Sequence, residues 1–233
     1  MTSQLPSYHG YRFPPEIISH AVWLYHRFCL SFRDAEDLLA QRGITVSYET
    51  IRHWCRTFGP AYARTLRRRS GRMGDTWYLD ELFLKIQGRQ QYLWRAVDQD
   101  GDVIDILLQP RRDRRAAARF FRKLLRGQGR VPRRLITDKL RSYSAAHGRV
   151  MPSVVHSTQQ HENNRAELSH QPTRQRERQM RRFKSTAHAQ RFLSVHGLVR
   201  NLFRVGRHLL QAAHHRELRM RSFHAWDELT CAR

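Results

Sequence analysis

The sequence predicts an all-α unit followed by an α/β unit, and three observations carry that expectation. Apolar residues recur at helical spacing through residues 14–58, the period shortens to that of strands from Thr76, and helical spacing returns after Arg111. With 233 residues the chain can bury one sizeable core and still hold an accessory domain.

Pro14-Pro15 suits the first turn of a helix, and Ile17, Ile18, Ala21, Val22, Leu24, Tyr25 and Phe28 follow at helical spacing. Ser31, with Asp34 three residues later, reads as a capping box before Ala35, Leu38 and Leu39, and Gly43 is placed to stop that second helix. Ser47 caps a third helix with an apolar face of Ile51, Trp54, Cys55 and Phe58, which Gly59-Pro60 is expected to end. Such a trio is a helix-turn-helix candidate, with Arg52, His53 and Arg56 of the last helix facing bases in a major groove. An ordinary trihelical packing module shares the pattern. Residues 1–62 are accordingly expected to form a DNA-binding domain, and 63–75, with Arg67, Arg68 and Arg69, a basic linker.

TWYLDELFLKIQ, QYLWRAVDQ and VIDILLQ then read as three strands, joined by turns at Gln87-Gly88-Arg89 and Asp100-Gly101-Asp102. An antiparallel meander follows from the shortness of those turns. A helix near residues 112–126, a Gly127-Gln128-Gly129 break and a short apolar strand ending at Asp138 come next. After a loop through Pro152, helix is expected from about Asn163 and again at about 187–207. The order βββ-α-β-α is that of an RNase H-like core, a mixed sheet flanked by helices, expected over 76–210 with a helical tail at 211–233.

Charge narrows the partners. Lys and Arg number 43 against 20 Asp and Glu, a net +23, which calls for a polyanion and excludes an acidic solvating chain. Residues 111–149 alone hold 14 Lys or Arg, yet Phe120, Phe121, Leu124 and Leu125 recur there at helical spacing, so this is a folded basic helix. The three cysteines form no CxxC, and the 14 histidines show no zinc spacing. No apolar run reaches the roughly 18 residues that span a bilayer, and the first residues lack the basic start and apolar stretch of a signal peptide. A cytoplasmic, nucleoid-associated protein without a membrane partner is expected.

In a chain short of acids, Asp80 lies inside an apolar strand and Asp138 at the end of another. A buried carboxylate without a partner costs several kcal/mol, so a metal ion or an arginine must compensate each. A third acid is expected from the stretch HENNRAELSHQPTRQRERQMRRFKS, from either Glu167 or Glu162. Glu81 should point to the sheet face opposite Asp80, Asp98 and Asp102 flank a turn, and Asp105 should pair with an arginine; none of these is expected to bind metal.

TWYLDELFLKI, YLWRAVDQDGDVIDILL, RRDRRAAARFFRKLL, LITDKLRSY, NNRAELSHQPTRQRERQMRRFKS and HHRELRMRSFHAWDELT together resemble the blocks, in order, of the DDE transposases of IS6-like bacterial insertion sequences. The likeness spans about residues 11 to 230. It implies that Asp80, Asp138 and Glu167, from LDE, TDK and NNRAE, bind two Mg2+ ions, with Mn2+ able to substitute. It also implies a basic residue, Arg174, beside the triad, although Pro172 intervenes and should bend the helix. The 28 residues between Asp138 and Glu167 are fewer than in many such enzymes, and Leu168 replaces a polar residue.

The activity so implied is binding of terminal inverted repeats, Mg2+-dependent 3′-end cleavage and strand transfer into target DNA. An RNase H-like nuclease that does not join strands, or a catalytically degenerate DNA-binding protein, are the alternatives. Partners would be double-stranded DNA, as transposon ends and target, and a second copy of the chain in a dimer or higher oligomer, for which the Phe192 to Leu202 helix is a candidate contact, with intramolecular core the favoured reading of that helix. Backbone contacts are expected broadly from Arg111 to Arg134 and from Arg174 to Lys184, in particular from Arg111, Arg112, Arg114, Arg115, Lys139, Arg178, Arg181, Arg182 and Lys184, beside Arg67 to Arg69.

Overall fold

The computed structural model describes residues 6–71, 73–159, 161–206 and 210–231. They divide into two units, one of residues 1–70 with 194–233 and one of residues 71–193.

The helical unit opens with α1 (Pro15–Arg27), α2 (Phe32–Ala40) and α3 (Tyr48–Arg69). Ser31 caps α2: its hydroxyl accepts from the Asp34 backbone N–H at 3.1 Å, and the Asp34 carboxylate accepts from the Ser31 N–H at 2.7 Å. Gly43 follows with a positive φ of 76°, as a helix stop requires.

Helix α3 does not end at Gly59-Pro60. It runs on through Pro60 to Arg69, so Arg67, Arg68 and Arg69 form its last turn and not a linker. The interior proline forfeits a hydrogen bond, at a cost of about 3 kcal/mol. Burial of Phe58, Tyr62, Ala63 and Leu66 beyond and around it outweighs that loss.

Helix α9 (Ala212–Thr230), at the expected tail, packs into the same unit: Trp226 meets Tyr62 edge-on at 5.4 Å, and Glu228 pairs with Arg69 at 3.3 Å. The expected sheet domain reached residue 210, whereas the boundary between the units falls at Leu193, within α8 (Thr186–Leu202). Aromatic residues just beyond that helix, such as Phe203 against Trp23 and Phe223, explain why its second half counts with the helices. Residues 207–209 and 232–233, at the ends of the expected helix and tail, lie outside the described residues.

In the second unit, β1 (Thr76–Ile86), β2 (Arg89–Asp98) and β3 (Val103–Gln109) form the expected meander. Gln87 and Gly88, both at positive φ, make the two-residue turn whose twist matches its flanking strands. At the second turn Asp98 accepts from the backbone N–H groups of Asp100 and Asp102. Helix α4 (Arg114–Gln128) begins where the Asp113 side chain accepts from the Ala116 N–H and ends at the left-handed Gly129. It returns the chain to β4 (Arg134–Thr137), which lies parallel to β1.

Helix α5 (Arg141–Val150) and β5 (Val155–Ser157) occupy the stretch expected as a loop. The first buries only Ser142, Tyr143 and Ala146, and the second is three residues long, so neither leaves a periodic trace in the sequence. The chain continues in α6 (Asn164–Ser169) and α7 (Gln171–Gln179), with Pro172 in the first turn of α7, where a missing N–H costs least. The sheet order β3-β2-β1-β4-β5, antiparallel in the first three strands and parallel thereafter, is the RNase H-like arrangement.

One face of the sheet carries the core. Ala117, Phe120, Phe121 and Leu124 of α4, with Tyr143 of α5, cover Trp77, Leu79, Trp94 and Ala96. Both tryptophans are fully buried and therefore serve packing rather than base stacking. Phe121→Ala should lower the unfolding free energy by about 3–5 kcal/mol, measured by urea titration, because the ring leaves a cavity with no solvent path.

Candidate active site

Strand register decides where the acids meet. β4 ends at Thr137, opposite Leu79 of β1, so from Asp80 onward the β1 edge is open on that side and Asp138 stands immediately beside it. Asp80, Glu81 and Asp138 each place a carboxylate oxygen there, all within 4.8 Å of one another. Glu81 does face the core side, toward Tyr143, and Asp80 the other, toward His170. Leaving from opposite faces, as expected, does not keep them apart, because side chains from both faces can turn round an edge left unpaired by so short a β4.

Three acids this close need compensation, and the chain supplies it from three elements. Arg112, just ahead of α4, ion-pairs with Glu81 through Nε and reaches Asp138 Oδ2 through Nη2 at 3.3 Å, while its guanidinium lies 5.5 Å from the Phe83 ring centre. The Tyr143 hydroxyl donates to Glu81 Oε2 at 2.7 Å. His170, at the α6–α7 junction, places Nε2 3.1 Å from Asp80 Oδ2. Asn163 fixes the start of α6 by donating to the Leu79 carbonyl at 2.9 Å.

Compensation is incomplete. Burial pushes the Glu81 carboxyl above its ordinary range; the Tyr143 bond opposes the shift, Asp138 adds to it, and Arg112 opposes it. Burial likewise raises the Asp138 carboxyl, against the Leu140 backbone N–H and with the Asp80 charge adding to the rise. Tyr143, wholly buried beside these acids, is pushed well above the usual phenol range.

The third expected acid is placed differently. Glu167 sits on α6 between Asn163 and His170, both of which reach adjacent residues of β1, yet its carboxylate is exposed and outside the gathered oxygens. It makes no ion pair among the described residues, whereas Arg112 and His170 serve the other three acids. Glu162 is held elsewhere, by Arg134 at 2.8 Å and Ser157 at 2.5 Å. Asp105 pairs with Lys123 of α4.

Arg174 donates to the Phe83 carbonyl at 2.7 Å, three residues beyond Asp80, and pairs with Glu177 at 3.2 Å. Lys139, Arg111, Arg114, Arg115 and Arg178 are exposed. Arg181 and Arg182 are also exposed, at consecutive positive φ values of 48° and 71°, ahead of an exposed Lys184. Arg52, His53 and Arg56 share the exposed side of α3, with Arg52 paired to Glu49 at 2.9 Å and His53 3.3 Å from the Tyr11 hydroxyl. Arg68 and Arg69 are exposed and Arg67 half-buried. Sequence reasoning missed Glu81, Arg112 as an internal cation, and His170; the last was traceable as one face of α6, at 163, 166 and 170.

A family model described as a DDE domain matches residues 74–206. The transposase for insertion sequence-like element IS431mec of Staphylococcus aureus is 31% identical over 164 residues, 68% of this chain and 73% of that protein. The transposase for insertion sequence element IS257 in transposon Tn4003, also from S. aureus, aligns to the same extent. The chain belongs to the IS6 family of DDE transposases. Among solved structures, the catalytic core domain of HTLV-2 integrase in complex with magnesium aligns at a TM-score of 0.42 and 12% identity, covering 61% of this chain and 93% of that one. The catalytic core domain of BIV integrase gives 0.41 and 14%, covering 65% and 97%. The fold assignment of this transposase rests on its strand order and register.

The donor set of the transposase fits a divalent ion of the hard type: every gathered ligand atom is a carboxylate oxygen, with no thiolate, and the acids carry more negative charge than Arg112 offsets. A carboxyl whose pKa is raised by folding favours the folded state below its ordinary pKa and loses that contribution as pH rises through the raised value. Without divalent ions, Asp138→Asn should therefore raise the melting temperature at pH 7 and flatten its decline above pH 4, as read by thermal melts across pH; a lower melting temperature throughout would contradict the assignment of strain to this cluster.

Proposed function

We propose that this chain is an insertion-sequence transposase that binds the terminal inverted repeats of its element, cleaves their 3′ ends and joins them to target DNA at one carboxylate site. The observation that carries the reading is the convergence of Asp80, Glu81 and Asp138 beside the open edge of β1. In-line displacement at phosphorus needs an activated oxygen nucleophile, a stabilised leaving oxygen and neutralised phosphate charge. A pair of Mg2+ ions, or Mn2+ in their place, supplies all three when bound, and Asp80, Asp138 and Glu167 would hold them.

The residues of the chain divide the remaining tasks. Glu167 lies one helical turn from His170, on a helix tied to β1 at Leu79 and Asp80, which anchors the helix that carries it next to Asp80. Glu81 keeps Arg112 at the rim of the pocket, where a guanidinium can meet a phosphate oxygen. Arg174, tethered to the Phe83 carbonyl, lies further along the same strand. Arg52, His53 and Arg56 offer α3 to base edges, and Arg67 to Arg69 continue that helix toward phosphates. Two ends must be joined, so a dimer on DNA is the smallest working assembly.

The test uses the purified full chain with Mg2+ and a duplex ending in the inverted repeats that flank its gene. Asp80→Ala, Asp138→Ala and Glu167→Ala should each reduce nicking and strand transfer by roughly a thousandfold, several kcal/mol of transition-state stabilisation, while retaining duplex binding. Glu162→Gln, at an acid held away from the pocket, should keep both activities. Strand transfer surviving in Asp80→Ala or Asp138→Ala would overturn the reading, and nicking without joining in the parent chain would make it a nuclease.

A further inference from the structure

Most of the arginines between residues 111 and 134 fall into two groups. Arg112, Arg130 and Arg134 are committed to acids within the fold: Glu81 and Asp138, Asp75, and Glu162. A second set is not. Arg114, Arg115, Arg119, Arg122 and Arg126 of α4, with Arg149 of α5, line a concavity of about 250 Å³ whose one other lining residue is Ala118. All six are exposed, and none forms an ion pair among the described residues. Neutral acceptors alone engage two of them: Arg119 donates to the Gln109 side chain at 2.9 Å and Arg126 to the Arg122 carbonyl at 3.3 Å.

Six like charges around so small a space repel one another, and among the described residues no carboxylate pairs with them. The spacing is regular. Arg115, Arg119, Arg122 and Arg126 recur at intervals of four, three and four, which places them in one row along α4, on the side away from Phe120, Phe121 and Leu124. From first to last the row spans roughly 16 Å at 1.5 Å per residue, matching a ligand with evenly repeated negative charge. One strand of duplex DNA carries a phosphate about every 3.4 Å of axis. An anionic membrane surface fits less well, because interfacial binding also needs apolar side chains, and the large exposed apolar residues of the chain include none from α4 or α5.

We infer that the α4–α5 arginine groove binds the phosphate backbone of one strand of the duplex whose end is processed, as a sequence-independent rail. Arg112, immediately before α4, already touches two of the gathered acids, so the row begins beside the carboxylate pocket and leads away from it. The inference rests on the reading of the chain as a DNA transposase and adds which surface receives the DNA adjoining the reacting phosphate. The groove contributes affinity and register but reads no bases.

The experiment measures binding of the full chain to a fluorescein-labelled 30-base-pair duplex of arbitrary sequence across a salt series. Arg119→Gln/Arg122→Gln/Arg126→Gln should lower the slope of log K against log salt by about 2–3, near 0.9 per lost phosphate contact. A charge-matched control on α9, Arg216→Gln/Arg219→Gln/Arg221→Gln, should leave the slope unchanged. Arg122→Gln/Arg126→Gln, which spares the Arg119–Gln109 bond, should lower it by about 2 and covers the case in which the triple variant fails to fold. Equal slopes for groove variants and parent, or equal losses for groove and control triples, would overturn the inference and leave the transposase reading intact. A parent chain with no salt-dependent duplex binding would overturn both.

Discussion

Repulsion among carboxylates at an unpaired strand edge is the constraint on which the catalytic half of this structure depends. β4 stops after four residues, and the edge of β1 that it leaves bare is where Asp80, Glu81 and Asp138 converge. The consequence is a site that the chain alone only partly neutralises, with Arg112 answering two of the acids, His170 hydrogen-bonded to Asp80, and Tyr143 holding Glu81 in place. Folding tolerates the arrangement because the core beside it buries Trp77, Trp94, Phe120 and Phe121 completely.

Charge organises the rest of the unit by the same rule. Basic residues near the carboxylates are drawn inward and paired, as Arg112, Lys123, Arg130 and Arg134 are. Those one face further round α4 have no acid to meet and are left as a dense positive row. A net charge of +23 is therefore unevenly distributed: part of it stabilises the acid cluster and part is available to a polyanion.

Much of this was legible in the residues themselves. The period-2 runs, Gln87-Gly88, the Asp113 cap and Gly129 marked the meander and α4, and Ser31 with Asp34 marked α2, because each feature acts over a few residues. Asp80 and Asp138 were legible as acids in apolar surroundings. Helix α5 and β5 left no trace, being too short and too little buried to show a period. The persistence of α3 through Pro60 was hidden because tertiary burial on its far side decides it. The nearness of Glu81 to Asp80 and Asp138 was hidden for a related reason: alternation along a strand says which face a side chain leaves from, and not which side chains meet beyond the end of a neighbouring strand. Arg112 and His170 reach the site from elements distant in sequence, which local patterns do not encode.

The central claim is that these acids form a divalent-ion site, and calorimetric titration of Mn2+ into the purified chain tests it most directly. The account predicts saturable binding of one to two ions per chain, abolished in the Asp80→Ala/Asp138→Ala double variant while its far-ultraviolet circular dichroism stays that of the parent. Saturable binding of the same stoichiometry in the folded double variant would contradict it.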